Sequence, residues 1–224
     1  MRELSAKQMI DIQVALDYEI TGGKKISFRD TGLASIAEAV ELLESTTWKW
    51  WAKNKFRKDA KEQSKNNWNA EIEAIDILHF SLSSWSQVGI PKATKVTSCG
   101  KWEKSDSGIE YFLTNRRGFR KFCCKILMDT ATIDDISQFI RGGRDRVSAI
   151  YVAKCTLNWI RTRTGYKDGT YKKVTDGVED NELLEKIVES FCRDSGKTLS
   201  SVSMDVFDAF GMPPDMKCPA MIKF

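Results

Sequence analysis

Two acidic pairs are the residues in this chain whose types and spacing best suit chemistry. Glu38 and Glu41 are three residues apart in one predicted helix, and Glu73 and Asp76 are three residues apart in another. Residues with this spacing share a helix face, with β-carbons about 5–6 Å apart. If the two helices pack together, four carboxylates converge and can hold hard divalent cations such as Mg2+, which support phosphate chemistry.

A simpler interpretation of these acidic residues stays open, because acidic pairs are also common on solvated helix faces. The second pair is the more specific one, since its helix is apolar around most of its circumference, as buried helices are. Buried charges need compensation. His79, the only histidine, follows Asp76 by three residues and taken alone is more typical of a core residue. An exposed edge of this helix is the alternative, along a polar stripe of Asn69, Glu73, Asp76, Ser83 and Gln87.

A basic cluster lies later in the chain. Lys154, Asn158 and Arg161 fall on one face of a predicted helix, which leads into a segment of cations, hydroxyls and glycines at 163–173. Arginine offers bidentate hydrogen bonds and lysine a point charge, so this surface could bind a polyphosphate, or it could be a solvated helix end with a hairpin-like loop. An acidic metal cage combined with a basic clamp is the arrangement expected for hydrolysing a metal-bound nucleoside triphosphate.

The composition is that of an ordinary globular protein. The chain has 224 residues, 42% hydrophobic and 29% charged, and a net charge of +4. We expect a single domain over residues 1–224, with a possible insertion or mobile region at about 92–143. The mild basic surplus suits an anionic ligand but is smaller than a nucleic-acid-binding surface usually carries.

Other features of the sequence bear on location and redox state. No run of about 18 apolar residues occurs, and the segment after Met1 lacks the apolar core of a signal peptide. The six cysteines form no CxxC pair and lack the partner histidines of a zinc site. We therefore expect a cytoplasmic protein with reduced thiols and no membrane association.

Periodicity and breakers predict an all-α fold. The second helix is expected to bury a stripe of Leu33, Ile36, Val40 and Leu43. Residues 59–67 are polar and are expected to connect two helices, and 92–118 is expected to be a long loop or small insertion. The predicted helices cover residues 4–20, 29–53, 68–88, 122–128, 133–140, 145–163, 179–192 and 199–210.

An ordered set of residues resembles the all-α dimeric dUTPases, part of the wider group of all-α nucleoside triphosphate pyrophosphohydrolases. The resemblance covers roughly residues 8–90 and 145–190, in the order of the family. The residues that carry it are Glu38, Glu41, Ser45, Thr47, Trp48, Lys49, Trp51, Glu73, Asp76, Ile77, His79, Phe80, Lys154, Leu157, Asn158, Arg161, Gly165, Tyr166, Lys167, Gly169, Tyr171, Lys173, Gly177, Glu179, Asp180 and Asn181.

The resemblance implies a homodimer that uses Mg2+ to convert dUTP into dUMP and pyrophosphate, by attack of metal-activated water on the α-phosphorus. It implies that one carboxylate of the first pair, Glu38 or Glu41, orients or deprotonates this water. The implied metal ligands are Glu38, Glu41, Glu73 and Asp76. The implied phosphate-binding residues are Lys154, Arg161, Lys167 and Tyr171. The implied nucleoside-binding residues are Gln13, Asp17, Trp48, His79 and Asn158.

Departures from the family pattern bear on the base. Asp17 stands where an asparagine is usual, and Thr162 and Thr175 replace residues that are usually Gln and Trp. An ionised aspartate only accepts hydrogen bonds, whereas an amide also donates. Since cytosine N4 is a donor and uracil O4 an acceptor, Asp17 would favour cytosine if it reaches that edge.

Two alternatives to a dUTP pyrophosphohydrolase stay open. One is a dCTP or dual dCTP/dUTP pyrophosphohydrolase like those of related viruses, which would act in the host cytoplasm. The other is a helical regulator that binds nucleic acid through the basic cluster, with an affinity that falls steeply with salt. The second leaves the paired acidic motifs unexplained.

Overall fold

The computed structural model describes residues 1–46, 60–88, 116–128, 130–175, 177–213, 216 and 218. The all-α prediction is confirmed, because helices dominate and the described strands form only one two-residue pair. Strand β1 (Val174–Thr175) pairs antiparallel with β2 (Val178–Glu179). The helices are α1 (Ala6–Thr21), α2 (Phe28–Glu44), α3 (Ala60–Val88), α4 (Arg116–Leu127), α5 (Ile133–Ser137), α6 (Arg144–Arg163), α7 (Asp180–Arg193) and α8 (Leu199–Ala209).

The chain divides into two compact units. We call them the terminal unit, formed by Met1–Ile26 and Arg144–Phe224, and the central unit, formed by Ser27–Gly143. The expectation of a single domain with an insertion at 92–143 stays a prediction. Within the described ranges, none of the helices combines the length and the apolar character that crossing a membrane requires.

The terminal unit is built around α6, which contacts α1, α7 and α8. Most of its side chains are buried on every side, which explains why its sequence shows a weak polar face. The helices around it have well-defined ends. Ser5 and Gln8 form a capping box that begins α1, and Gly22 ends that helix with a left-handed φ of 64°.

The central unit is built on the packing of α2 against α3, with α4 on α2 and α5 on α3. The apolar residues of α3 form its core, and Ile75, Leu78 and Leu82 are fully buried. Glu71 is also fully buried, and its Oε1 accepts from the backbone N and the Nε of Arg141 at 2.9 and 2.8 Å. This ion pair ties the turn after α5 to α3.

The prediction that α2 buries Leu33, Ile36, Val40 and Leu43 is wrong. Leu33 and Val40 are 55% and 54% exposed, and Ile36 and Leu43 are only half-buried. The face that packs is instead made of Thr31, Ser35, Ala39 and Leu42. These side chains are mostly small, so they allow two helix backbones to approach closely, which larger side chains would prevent.

The bounds of two helices also differ from prediction. Helix α2 ends at Glu44 rather than near residue 53, and the Thr46 hydroxyl donates to the Leu43 carbonyl at 2.7 Å. Such local hydrogen bonds compete with helix continuation. Residues 60–67, expected in a connection, are the first turns of α3. Their lysines, glutamate and glutamine are good helix formers, so polarity there is compatible with helix and does not indicate a connection.

Later in the chain the differences are smaller. Helix α4 begins at Arg116, inside the expected loop at 92–118, and the rest of that loop lies outside the described residues. Helix α5 ends at Ser137, although Phe139 and Ile140 continue the chain in turn hydrogen bonds to Ile136 and Ser137. Helices α6, α7 and α8 match their predicted bounds within one residue.

Candidate active site

Three of the four predicted metal ligands meet in the central unit. One carboxylate oxygen from each of Glu38, Glu73 and Asp76 lies within 4.8 Å of the others, and all three residues are half-buried. An octahedral Mg2+ holds ligand oxygens about 2.0–2.1 Å from its centre, which puts them about 3–4 Å apart. The spacing and the all-oxygen donor set therefore fit a hard divalent cation after small side-chain movements.

The helix pair explains why these carboxylates converge. Glu38 borders the packed face of α2, because it lies three residues after Ser35 and four before Leu42. On α3, Glu73 and Asp76 belong to a narrow, half-buried stripe with Asn69 and Phe80, while most of the surrounding helix is buried. The alternative of a fully solvated acidic face does not describe this arrangement.

Glu41 stands apart from the other three predicted ligands. It is exposed, and it is not part of the group formed by Glu38, Glu73 and Asp76. Three residues further along α2, its side chain is turned about 60° away from Glu38 around the helix axis. Its proposed role as ligand or base stays a prediction.

Arg161 and Tyr171 meet on one buried carboxylate in the terminal unit. Asp180 Oδ2 accepts from Arg161 Nε at 3.0 Å, from Arg161 Nη2 at 2.7 Å, and from the Tyr171 hydroxyl at 3.0 Å. The side chains of Arg161 and Asp180 are 11% and 1% exposed. Their ion pair is therefore almost completely removed from water.

The Asp180 carboxylate also shifts the protonation equilibria of its partners. Burial raises the pKa of Tyr171 and Asp180 raises it further, to about 12. Burial lowers the pKa of Arg161, but the nearby negative charge of Asp180 outweighs this and raises it overall. At neutral pH Arg161 is therefore a cation and Tyr171 a neutral hydroxyl donor.

The other basic residues of the cluster lie along α6 and in the turn that follows it. Lys154 is buried, and its Nζ donates to Asn181 Oδ1 at 3.3 Å. Lys167 is exposed and donates to the Ile20 carbonyl at the end of α1. Gly165 has a φ of 93°, and a Cβ there would lie 1.9 Å from the Thr170 hydroxyl, so the turn that carries Lys167 requires glycine.

The predicted nucleoside contacts of the terminal unit form a short hydrogen-bonded chain. Gln13 Nε2 donates to Asp17 Oδ1 at 2.8 Å, and Gln13 Oε1 accepts from the Tyr151 hydroxyl at 3.3 Å. Gln13 and Tyr151 are buried, and burial raises the pKa of Tyr151 well above its usual value. The Tyr151 hydroxyl also donates to the Met9 carbonyl, at the shorter distance of 2.8 Å, so the orientation of the Gln13 amide is determined by Asp17, whose carboxylate oxygen accepts.

The remaining nucleoside residues are placed separately. Asn158 is half-buried on α6, and its Oδ1 accepts from Arg161 Nη1 at 3.4 Å. His79 is buried on α3 in the central unit, on the same helix as Glu73 and Asp76. Trp48 lies outside the described residues.

A family model described as dUTPase matches residues 5–166 of this chain. The chain belongs to the dUTPase family. No curated protein matches it. Membership makes the chain a nucleotide pyrophosphatase of the type that acts on dUTP or dCTP, and the family depends on metal in general.

The dUTPase match covers the acidic pairs, Gln13, Asp17 and the basic face of α6, but it stops before Lys167. Tyr171 and Asp180 therefore lie beyond it, although both contact Arg161 inside it. Sequence reasoning assigned no role to Asp180 or Tyr151. The signal for Asp180 was its place, with Glu179 and Asn181, among the residues that carry the family resemblance, whereas Tyr151 is hidden in an apolar run.

Proposed function

We propose that this dUTPase-family protein hydrolyses dUTP to dUMP and pyrophosphate with Mg2+ as its cofactor. The observation that supports this most strongly is the convergence of Glu38, Glu73 and Asp76 from two packed helices. In the reaction a water oxygen bonds to the α-phosphorus, the bond from that phosphorus to the bridging oxygen breaks, and pyrophosphate leaves with the electron pair. A proton of the water passes to a carboxylate of the Glu38 and Glu41 pair.

The residues divide this work by their chemistry. Mg2+ held by Glu38, Glu73 and Asp76 would neutralise phosphate charge and make water more acidic. Lys154, Arg161, Lys167 and Tyr171 supply cations and a hydroxyl donor for the phosphates. The proposed nucleoside-binding residues are Gln13, Asp17, Trp48, His79 and Asn158.

The Gln13 and Asp17 contact favours a second substrate, dCTP. Because Gln13 Nε2 donates to Asp17 Oδ1, the carboxylate and amide are held in a defined relation on α1. A carboxylate at this position can accept from cytosine N4, whereas uracil O4 would face another acceptor. We therefore propose that dCTP is hydrolysed as well as dUTP.

We also propose that the protein is a homodimer. The face of α2 opposite the metal carboxylates is apolar and exposed in the single chain, with Leu33 at 55% and Val40 at 54%, and Phe28 is 46% exposed. An exposed apolar helix face is typical of an interface. Sedimentation of Leu33→Asp with Val40→Asp should show monomers, while Met204→Asp, which changes an exposed apolar residue of the terminal unit, should sediment as the wild type does.

The proposed activity suits the cytoplasm, or the host cytoplasm if the chain is viral, where deoxynucleotides are used. It is tested by incubating the protein with each deoxynucleoside triphosphate and Mg2+ in 18O-labelled water. Attack at the α-phosphorus puts the label in the monophosphate, whereas attack at the β-phosphorus puts it in pyrophosphate. Release of inorganic phosphate alone would contradict the proposal.

The matched variants for this assay are Asp76→Asn and Glu44→Gln. Each substitution removes one carboxylate charge from the packed helices α2 and α3. Glu44, however, is exposed at the end of α2. Turnover should be lost only in the first. Steeply salt-dependent DNA binding without turnover would favour the regulator instead.

A further inference from the structure

Asp180 is a buried acidic residue that contacts the basic cluster, and only one of its two carboxylate oxygens accepts hydrogen bonds from it. Oδ2 accepts all three hydrogen bonds from Arg161 and Tyr171, while Oδ1 is buried with no hydrogen-bond partner among the described residues. A buried acceptor without a partner costs stability. If this contact served the fold alone, a hydrogen-bond donor to Oδ1 would make the fold more stable.

The contacts of Asp180 restrict the Arg161 guanidinium strongly. Nε and Nη2 are bound to Asp180, and Nη1 donates to Asn158. The guanidinium carbon also lies 5.8 Å from the ring centre of Tyr166 and 6.0 Å from that of Tyr171. A planar guanidinium held on one edge keeps its remaining N–H groups in a defined direction.

We propose that Asp180 is a positioning residue for triphosphate binding, which holds Arg161 in the orientation in which its remaining N–H groups contact the phosphates. This inference rests on the proposed function. It extends the binding machinery from Tyr171 to the first turn of α7. Asp180 is an acceptor for these hydrogen bonds, so it acts through Arg161 and does not touch the phosphates.

The direction of the change in KM distinguishes a positioning role of Asp180 from competition with phosphate for Arg161. If Asp180 positions Arg161, removing its charge should weaken phosphate binding, because the guanidinium loses its fixed geometry. If Asp180 only competes with phosphate for Arg161, removing its charge should strengthen binding. The two alternatives therefore predict opposite changes in KM.

The experiment compares Asp180→Asn with Asp168→Asn, which removes one negative charge from the exposed turn before Tyr171. We expect KM for dUTP and dCTP to rise roughly tenfold to hundredfold in Asp180→Asn, the range for hydrogen bonds to charged groups, with kcat changed much less. Asp168→Asn should keep the wild-type KM. A lowered KM, or an unchanged KM with kcat reduced in proportion to the folded fraction, would overturn the proposal.

A double-mutant cycle tests whether Tyr171 acts through Asp180. Tyr171→Phe removes the hydroxyl that donates to Asp180 Oδ2 and leaves the ion pair of Arg161 and Asp180 in place. Its effect on KM should be smaller in the Asp180→Asn background than in the wild type, because the carboxylate that the hydroxyl supports is already absent there. Equal effects in both backgrounds would show that the two residues act independently.

Binding of inorganic tripolyphosphate, measured by calorimetry, keeps this inference distinguishable from the proposed function. If the wild type hydrolyses no deoxynucleotide, the proposed function fails. The affinity of Asp180→Asn for tripolyphosphate should even then be lower than that of the wild type by roughly tenfold or more. Equal binding by both proteins, or no binding by the wild type, would refute the positioning role.

A measurement on the wild type covers the case in which Asp180→Asn does not fold. The Arg161 Nε–H signal in nuclear magnetic resonance spectra is assigned by its loss in Arg161→Lys. It should keep its slow exchange with water when tripolyphosphate is added, because Asp180 continues to hold it. Faster exchange would mean that the ligand displaces Asp180, contrary to the proposal.

Discussion

The two units of this protein handle charge in opposite ways. In the central unit three carboxylates of like sign lie within 4.8 Å of one another on α2 and α3. In the terminal unit a carboxylate and a guanidinium are paired at 2.7 Å with almost no exposure to water. A cluster of like charges gains from an added cation, whereas a buried pair is damaged by losing either member. The carboxylate cluster should therefore respond to added metal, and the buried ion pair to mutation of either member.

The largest expected effect is on the stability of the terminal unit. Arg161→Ala leaves Asp180 buried without its cation, so the free energy of unfolding should fall by about 3–5 kcal/mol. Arg163→Ala removes an arginine from the same helix end, but its partner is Glu19 at an exposed site, and the loss should be about 1 kcal/mol or less. Denaturant unfolding measures both, and equal losses would contradict the contrast between buried and exposed pairs.

The next effect is on catalysis in the central unit. Glu73→Gln or Asp76→Asn should lower kcat/KM by more than about a hundredfold, since even changes outside the first ligand shell cost 10–100-fold in metal sites. Glu44→Gln should leave kcat/KM within about twofold of the wild type. In metal-free buffer the first two variants should keep the helical circular dichroism of the wild type. A large loss of stability would instead indicate a structural role.

A smaller effect is expected from metal binding itself. A cation that binds only the folded state should stabilise it by about 2.7 kcal/mol at a concentration a hundred times its Kd. Mg2+ should therefore raise the melting temperature of the wild type, and the increase should disappear in Asp76→Asn. Arg161→Lys, altered in the other unit, should keep the increase. An identical response in Asp76→Asn would place the metal elsewhere.

The smallest effect is expected at the base. Asp17→Asn should shift the ratio of dCTP to dUTP turnover toward dUTP by roughly tenfold, which corresponds to the net free energy of one hydrogen bond. Gln13 can keep its hydrogen bond, because the Asn oxygen still accepts. Competition assays with both nucleotides measure the ratio directly. An unchanged ratio would remove Asp17 from base recognition.

The helices were predictable where the decisive interactions are local. Gly22 ends α1 as its place after Thr21 indicated, and the spacing of Glu73 and Asp76 put them on one face of α3. Local signals failed for residues 60–67, where polar residues were taken for a connection although they favour helix. They also failed for α2, which carries two faces able to pack.

The sequence by itself determined the helical class, the spacing of the acidic pairs and the family, because helix periodicity and motif order are properties of neighbours along the chain. Only the tertiary structure decided that α2 packs through Ser35 and Ala39, with Glu38 close to α3 and Glu41 exposed. Only the tertiary structure paired Arg161 with Asp180, nineteen residues later. Both outcomes depend on which surfaces exclude water together, and that is settled by packing between distant segments.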